Sequence, residues 1–118
     1  MRVNFTIPGP AVPKQRPRKG KYGNFYTPGR TQEFEETVAW LAKEAAKGCK
    51  LSGRLGILVV FYQKRKRADS DNCLKAIQDG IEKSGAIADD KQFFVTATNW
   101  ILTEDDEKIE VSIWEEEK

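Results

Sequence analysis

Apolar and polar residues alternate at the start of the chain. In residues 2–7, Val3, Phe5 and Ile7 fall on one side and Arg2, Asn4 and Thr6 on the other, the period expected of a half-buried strand. Pro8, Gly9, Pro10 and Pro13 end it, and a basic loop follows to about residue 29. The period then lengthens. Phe34, Val38, Leu41 and Ala45 recur at helical spacing and predict a helix over about 31–47, with Thr31 as N-cap and Gly48 as stop. Glu33, Glu35 and Glu36 favour its positive N-terminal end. Residues 54–62 (RLGILVVFY) are almost continuously apolar and read as the central, most buried strand. Asp69, Ser70 or Asp71 caps a second helix over about 71–84, which turns Leu74, Ile77 and Ile81 inward and stops at Gly85. Strands at about 93–102 and 107–115, separated by Glu104-Asp105-Asp106-Glu107, read as an antiparallel hairpin with Ile109, Val111 and Ile113 inward.

The element order is therefore β-α-β-α-β-β, an α/β chain of the α+β kind. The simplest architecture that buries both helical stripes is a mixed four-stranded sheet with two helices on one face. A chain of 118 residues admits one domain, 1–118, and not two. Its 39% apolar residues suffice for a single two-layer core, while 32% charged residues commit much of the surface to solvated charge. No stretch approaches the ~20 apolar residues of a membrane span, and MRVNFTIPGP lacks the pattern of a signal peptide. Cys49 and Cys73, without a CxxC pair, suggest reduced thiols in a cytoplasmic protein.

Composition narrows the chemistry more than it narrows the fold. Histidine is absent, which removes His-based triads, His general acids and ordinary His zinc sites. Hydrolytic chemistry is left to carboxylates, lysine, hydroxyls or a hard metal ion. The net charge of +2 hides a polarity: residues 1–30 contain seven Lys or Arg and no Asp or Glu, whereas 104–118 contain eight acidic residues and two Lys. A basic segment attracts phosphate and an acidic one repels it.

The densest signal is Arg67-Ala68-Asp69-Ser70-Asp71-Asn72-Cys73-Leu74-Lys75, where the buried strand ends and the second helix begins. Two carboxylates spaced i, i+2 in a capping segment can converge on one cation, and hard divalent ions prefer carboxylate oxygen. Asp71, Lys75 and Asp79 then share a helix face distinct from the Leu74/Ile77/Ile81 stripe. In isolation, Asp-Ser-Asp-Asn before a helix is ordinary N-capping chemistry, and Asp71 with Lys75 an ordinary surface pair. The adjacent QKRKR run, the second acidic pair Asp89-Asp90 and the lack of histidine tilt the balance toward a site. By spacing alone, Asp89-Asp90 reads as a polar turn, reaching the site only if the returning strand brings it back.

Arg67 to Lys75, the short helix and Asp89-Asp90-Lys91-Gln92 resemble the RusA family of Holliday junction resolvases, whose mark is a basic run into D-x-D-N-x-x-K followed by a paired DD. IPGPAVPKQRPR, Tyr26-Thr27-Pro28 and the first helix resemble the N-terminal half of many members. The resemblance implies metal-binding carboxylates at Asp69, Asp71 and Asp90 and a catalytic lysine at Lys75. It also implies Mg²⁺ (or Mn²⁺) dependence, a homodimer and junction DNA as substrate, with no membrane partner. Asn72 and Asp79 are then candidate second-layer residues that hold the ligands or Lys75. The loop at 8–30 is longer than in the smallest members, so junction selectivity does not transfer with the motif.

The basic residues divide into two groups. Lys64, Arg65, Lys66 and Arg67 adjoin the acidic cluster; Lys14, Arg16, Arg18, Lys19, Lys21 and Arg30 occupy the first loop among Tyr22, Phe25 and Tyr26. Lys and Arg give sequence-independent phosphate contacts, and aromatics can stack on unpaired bases. Trp40, Trp100 and Trp114 read as core or dimer-interface residues. Three functions remain open: a structure-selective Mg²⁺ endonuclease, a non-catalytic nucleic-acid-binding module whose aspartates only cap helices, and a metal-dependent nuclease of flap or single-strand specificity.

Overall fold

The computed structural model describes residues 1–14, 18–19, 25–26, 29–66 and 68–116, with 18–19 and 25–26 given as backbone. The continuously apolar segment forms β4 (Leu55–Gln63), which follows β1 (Arg2–Pro8), the short strands β2 (Arg18–Lys19) and β3 (Phe25–Tyr26), and α1 (Gly29–Ala46). After it come α2 (Ser70–Ser84), a 3₁₀ turn at Asp90–Gln92, β5 (Phe93–Leu102) and β6 (Lys108–Glu115). The main sheet runs β1-β6-β4-β5, so β4 is interior. The loop after β1 contains a small antiparallel ladder, Arg18 opposite Tyr26 and Lys19 opposite Phe25, that periodicity alone does not reveal.

The predicted β5–β6 hairpin does not form. β5 pairs with β4 in parallel, and β6 inserts antiparallel between β1 and β4. Residues 103–107 therefore step over the end of β4, a span of two strand spacings, or roughly 10 Å, which five extended residues cover. The step is pinned to β4, since Thr103 N donates to Gln63 O at 2.9 Å and Lys64 N donates to the Glu107 carboxylate at 2.9 Å. A short acidic connection looks the same in sequence whether it closes a hairpin or crosses one strand. Ile109, Val111 and Ile113 gain strand neighbours on both sides in the interior and are buried, while β5 takes the edge and leaves Phe94, Val95, Ile101 and Leu102 exposed.

One sheet face carries the core. Val3, Ile7, Ile57, Val59, Phe61, Ile109, Val111 and Ile113 meet Phe34, Val38 and Ala42 of α1 and Leu74, Ile77 and Ile81 of α2. β4 reads as buried on both faces, yet Leu58 on the far face is 36% exposed, because no helix covers that side. α1 begins two residues earlier than predicted, which puts Thr31 inside the helix, buried, with its hydroxyl donating to Pro13 O at 3.4 Å. The buried stripe is Thr31, Phe34, Glu35, Val38, Ala42 and Ala46, with Leu41 and Ala45 only partly buried. No acidic residue stands in the first turn of α1, and Glu35 faces the protein rather than the helix end. Trp40 is 65% exposed and so is not a core residue. Cys49 and Cys73 are both free thiols, exposed and buried respectively.

Gly80 sets how closely the helices approach. A Cβ at this position would lie 2.6 Å from the Val38 Cβ and 2.9 Å from the Glu35 carbonyl oxygen. A methyl here drives α1 off α2, so Gly80→Ala is expected to destabilise by about 1–3 kcal/mol. A glycine held only by helix propensity would instead gain up to ~1 kcal/mol from the same change. The sign of the shift in the urea midpoint decides between the two.

Candidate functional site

The chain leaves β4 through three exposed cations, Lys64, Arg65 and Lys66, and enters α2 at Asp69. Asp69 is the N-cap: its backbone is extended (φ −63°, ψ 132°), and its carboxylate accepts from Asp71 N at 3.2 Å. The first turn of α2 is tied to β5, since Trp100 Nε1 donates to Ser70 Oγ at 2.8 Å while the Trp100 ring stacks on Phe61 with centroids 4.3 Å apart. It is tied also to the segment after β1. Lys14 N donates to the Asn72 carbonyl at 2.9 Å, and buried Gln63 accepts from Ala11 N at 3.0 Å. Asp71 and Asn72 stand exposed on this turn.

Lys75 lies one turn further along. Its ammonium is 3.0 Å from Asp79 Oδ1 and 2.5 Å from Asp90 Oδ2. The turn before β5 thus lies on the flank of α2, with Asp90 beside Lys75. The turn that does so is well built: Asp89 accepts from Lys91 N at 2.8 Å, and Gln92 Oε1 accepts from Ala88 N at 2.7 Å and Asp89 N at 3.1 Å, forming a capping box. Glu82 fixes it to the helix by accepting from Asp90 N at 3.0 Å.

The charges at this turn are locked in opposite senses. The hydrogen bond from Lys75 holds the Asp90 carboxyl below the usual carboxylate range, against a smaller opposing effect of burial and with help from Asp89. The hydrogen bond to Asp90 raises Lys75 above the ordinary lysine value, with partial burial opposing and Asp79 adding to it. Lys75 is therefore a fixed cation and no proton donor near neutral pH. Burial, reinforced by the Asp69 carboxylate, pushes the Cys73 thiol up to about 11, which makes it a poor nucleophile.

The carboxylates fall into two places. Asp69 and Asp71 stand at the N-terminus of α2, and Asp90 stands beside Lys75. Among the described residues, the three carboxylates whose oxygens come within 4.8 Å of one another are Glu82, Asp89 and Asp90; Asp69 and Asp71 are not in that group. Both sets are pure carboxylate oxygen with no nitrogen or sulfur donor, which suits a hard divalent ion such as Mg²⁺ or Mn²⁺ and not a soft metal. Asp90 belongs to the second of them.

Arg30 of the first basic group and Arg65 and Lys66 of the second line one cleft, together with Ala11 and Pro13. Lys66 also sits over the Trp100 ring, 5.8 Å from its centroid. Lys14 is engaged elsewhere, with its ammonium on Glu35 Oε2 at 2.6 Å and Asp79 Oδ2 at 3.1 Å. Arg16, Lys21, Tyr22 and Arg67, and the side chains of Arg18, Lys19, Phe25 and Tyr26, lie outside the described residues. Sequence reasoning missed Glu35 and Lys83, which pair at 2.7 Å. The signal was a carboxylate adjoining Phe34 and Val38 on the apolar stripe of α1, read instead as a charge favouring the helix N-terminus.

Capping and metal binding make separable demands on Asp69. Asparagine caps a helix as well as aspartate, whereas alanine does not. Asp69→Asn is expected to keep the urea midpoint of the parent, and Asp69→Ala to lose about 1 kcal/mol. A role confined to capping predicts that Asp69→Asn keeps full activity; a metal ligand predicts that both variants lose it.

A family model described as "Endodeoxyribonuclease RusA" matches residues 8–114. The chain is 30% identical over 89 residues to the crossover junction endodeoxyribonuclease RusA of Aquifex aeolicus (strain VF5), a match covering 74% of this chain and 71% of that protein.

Proposed function

This chain belongs to the RusA family of endodeoxyribonucleases, and we propose that it is a Mg²⁺-dependent nuclease that resolves four-way DNA junctions by phosphodiester hydrolysis. The observation that carries this reading is the Lys75 ammonium, fixed between Asp79 and Asp90 on the flank of α2. A cation clamped beside acidic metal-ligand candidates, next to a basic cleft, matches what phosphodiester hydrolysis requires. The phosphate must be attracted, its charge shielded, and the attacking water oriented.

In this reading Asp69, Asp71 and Asp90 hold the divalent ion. When bound, it supplies Lewis acidity toward the phosphate and lowers the pKa of water. Lys75 offers a permanent positive charge to the phosphorane and keeps Asp90 ionised. Asp79 orients Lys75, and the main-chain carbonyl of Asn72 keeps the segment after β1 against α2. Arg30, Lys64, Arg65 and Lys66 take the phosphates that flank the cut, and Arg16, Arg18 and Arg67, whose side chains lie outside the described residues, are further candidates for phosphate contact. Contacts of this kind are blind to sequence, so they position the DNA and leave selectivity to its branched shape. Convergence of Glu82, Asp89 and Asp90 favours one second reading, in which the ion sits at the turn before β5.

A homodimer suits a substrate with near two-fold symmetry. Its support is the uncovered sheet face, where Leu58, Val95 and Ile101 lie exposed, and the edge strand β5 with exposed Phe94 and Leu102. No helix among the described residues is long and apolar enough to cross a membrane.

The test is cleavage of a synthetic four-way junction, a flap and a plain duplex, each with Mg²⁺ and with EDTA, by the parent and by Asp71→Asn. Paired symmetric nicks in the junction are expected, dependent on Mg²⁺ and lost in the variant. Light scattering on the same sample is expected to return twice the 13.4 kDa chain mass. Cutting of the flap alone moves the specificity to a different branched substrate. Junction binding without cutting under any divalent ion sinks the catalytic assignment and leaves a binding module.

A further inference from the structure

Glu35 is a carboxylate that is 1% exposed, in the middle of α1, and it touches neither of the acidic sets. Both of its oxygens are used: Oε1 by Lys83 at 2.7 Å and Oε2 by Lys14 at 2.6 Å. Lys14 reaches on to Asp79 Oδ2 at 3.1 Å, and Asp79 Oδ1 meets Lys75 at 3.0 Å. Lys75 then meets Asp90. Six side chains from α1, the segment after β1, α2 and the turn before β5 thus form one ladder of alternating charge, with the candidate catalytic lysine next to its outer end at Asp90.

Such a ladder is poorly explained by stability alone. Withdrawing charges from water costs about as much as their pairing returns, and well-packed apolar residues often serve a fold as well or better. What the ladder does supply is a fixed geometry. An aspartate held by one cation alone rotates freely about its terminal bond; one held from opposite sides by Lys14 and Lys75 does not. Lysine is a flexible stem with a point charge, and Lys75 is half-exposed, so its place depends on the carboxylates around it. The helix contact at Gly80 completes the device. The Glu35 backbone is pressed against the residue that follows Asp79, which brings the buried carboxylate alongside α2 and within reach of Lys83 on the next turn.

We propose that Glu35 and Lys14 are positioning residues for the reaction: by clamping Asp79 they hold the Lys75 ammonium at the scissile phosphate. The proposal rests on the nuclease reading and deepens it. It also removes Lys14 from the DNA-contacting set, since its ammonium is spent on Glu35 and Asp79.

The test is a double-mutant cycle on single-turnover cleavage of a four-way junction, using Glu35→Gln, Lys75→Ala and the pair. Glu35→Gln is expected to slow cleavage roughly 10- to 100-fold, the range for residues that orient active-site groups, with junction affinity unchanged. In the Lys75→Ala background the same change is expected to have no further effect, because the group it positions is gone. A second readout is the ammonium ¹H–¹⁵N NMR signal of Lys75 in the DNA-free protein. It is expected to be sharp in the parent and lost to exchange in Glu35→Gln. Effects that multiply in the double variant, or a Lys75 signal indifferent to Glu35→Gln, overturn the proposal. If Glu35→Gln does not fold, Lys14→Met takes its place in both measurements, since it leaves Glu35 paired with Lys83. A parent protein that cuts no DNA defeats the nuclease reading, and the Lys75 signal still decides whether the ladder positions it.

Discussion

The arrangement depends first on the close contact of α1 and α2 at Gly80. With no side chain at that position, the Val38 side chain and the Glu35 carbonyl occupy the space a Cβ would take, and the two helices share one buried seam over the sheet. The seam sets the depth at which Glu35 lies and hence the reach of Lys14 and Lys83. From there the alternating charges run outward to Asp79, Lys75 and Asp90. A packing constraint deep in the α layer thus governs the geometry of charges at the surface.

The second constraint is topological. Because β5 runs parallel to β4, α2 carries the chain to the end where β4 begins, and the turn before β5 lays Asp90 against the flank of α2. The same connection places the basic end of β4 beside the start of α2, where Asp69 and Asp71 stand. Attraction for phosphate and the acidic residues able to bind a divalent ion therefore lie close together without any long-range arrangement of loops. The segment after β1 closes the layout by docking on Gln63 and Asn72 through backbone hydrogen bonds.

Much of this was legible in the sequence because local rules and burial agree there. The alternation in β1, the apolar run of β4, the Asp69 cap and Gly85 stop of α2, and the inward Leu74, Ile77 and Ile81 all follow from short-range physics. The position of β6 did not, because a connection of five residues fits a hairpin as well as a step across one strand. α1 starts two residues earlier than periodicity predicts, so Glu35, which reads as a charge near the helix N-terminus, stands further inside the helix and on its buried stripe. Lys14 read as one more cation in a basic loop; pairing with a carboxylate 21 residues away and another on α2 is tertiary information. The motif D-x-D-N-x-x-K named candidate ligands, but whether one ion joins Asp69 and Asp71 to Asp90 is a question of distance that spacing does not answer.

The most direct test of the site is therefore metal affinity, independent of DNA. Mn²⁺ binding, followed by calorimetry, would be compared in the parent, Asp71→Asn and Glu82→Gln. If Asp69, Asp71 and Asp90 hold the ion, Asp71→Asn weakens binding by about tenfold or more, the size of a lost contact at a metal site, and Glu82→Gln leaves it nearly unchanged. The reverse order, with Glu82→Gln abolishing binding and Asp71→Asn indifferent, contradicts the account and moves the ion to the turn before β5.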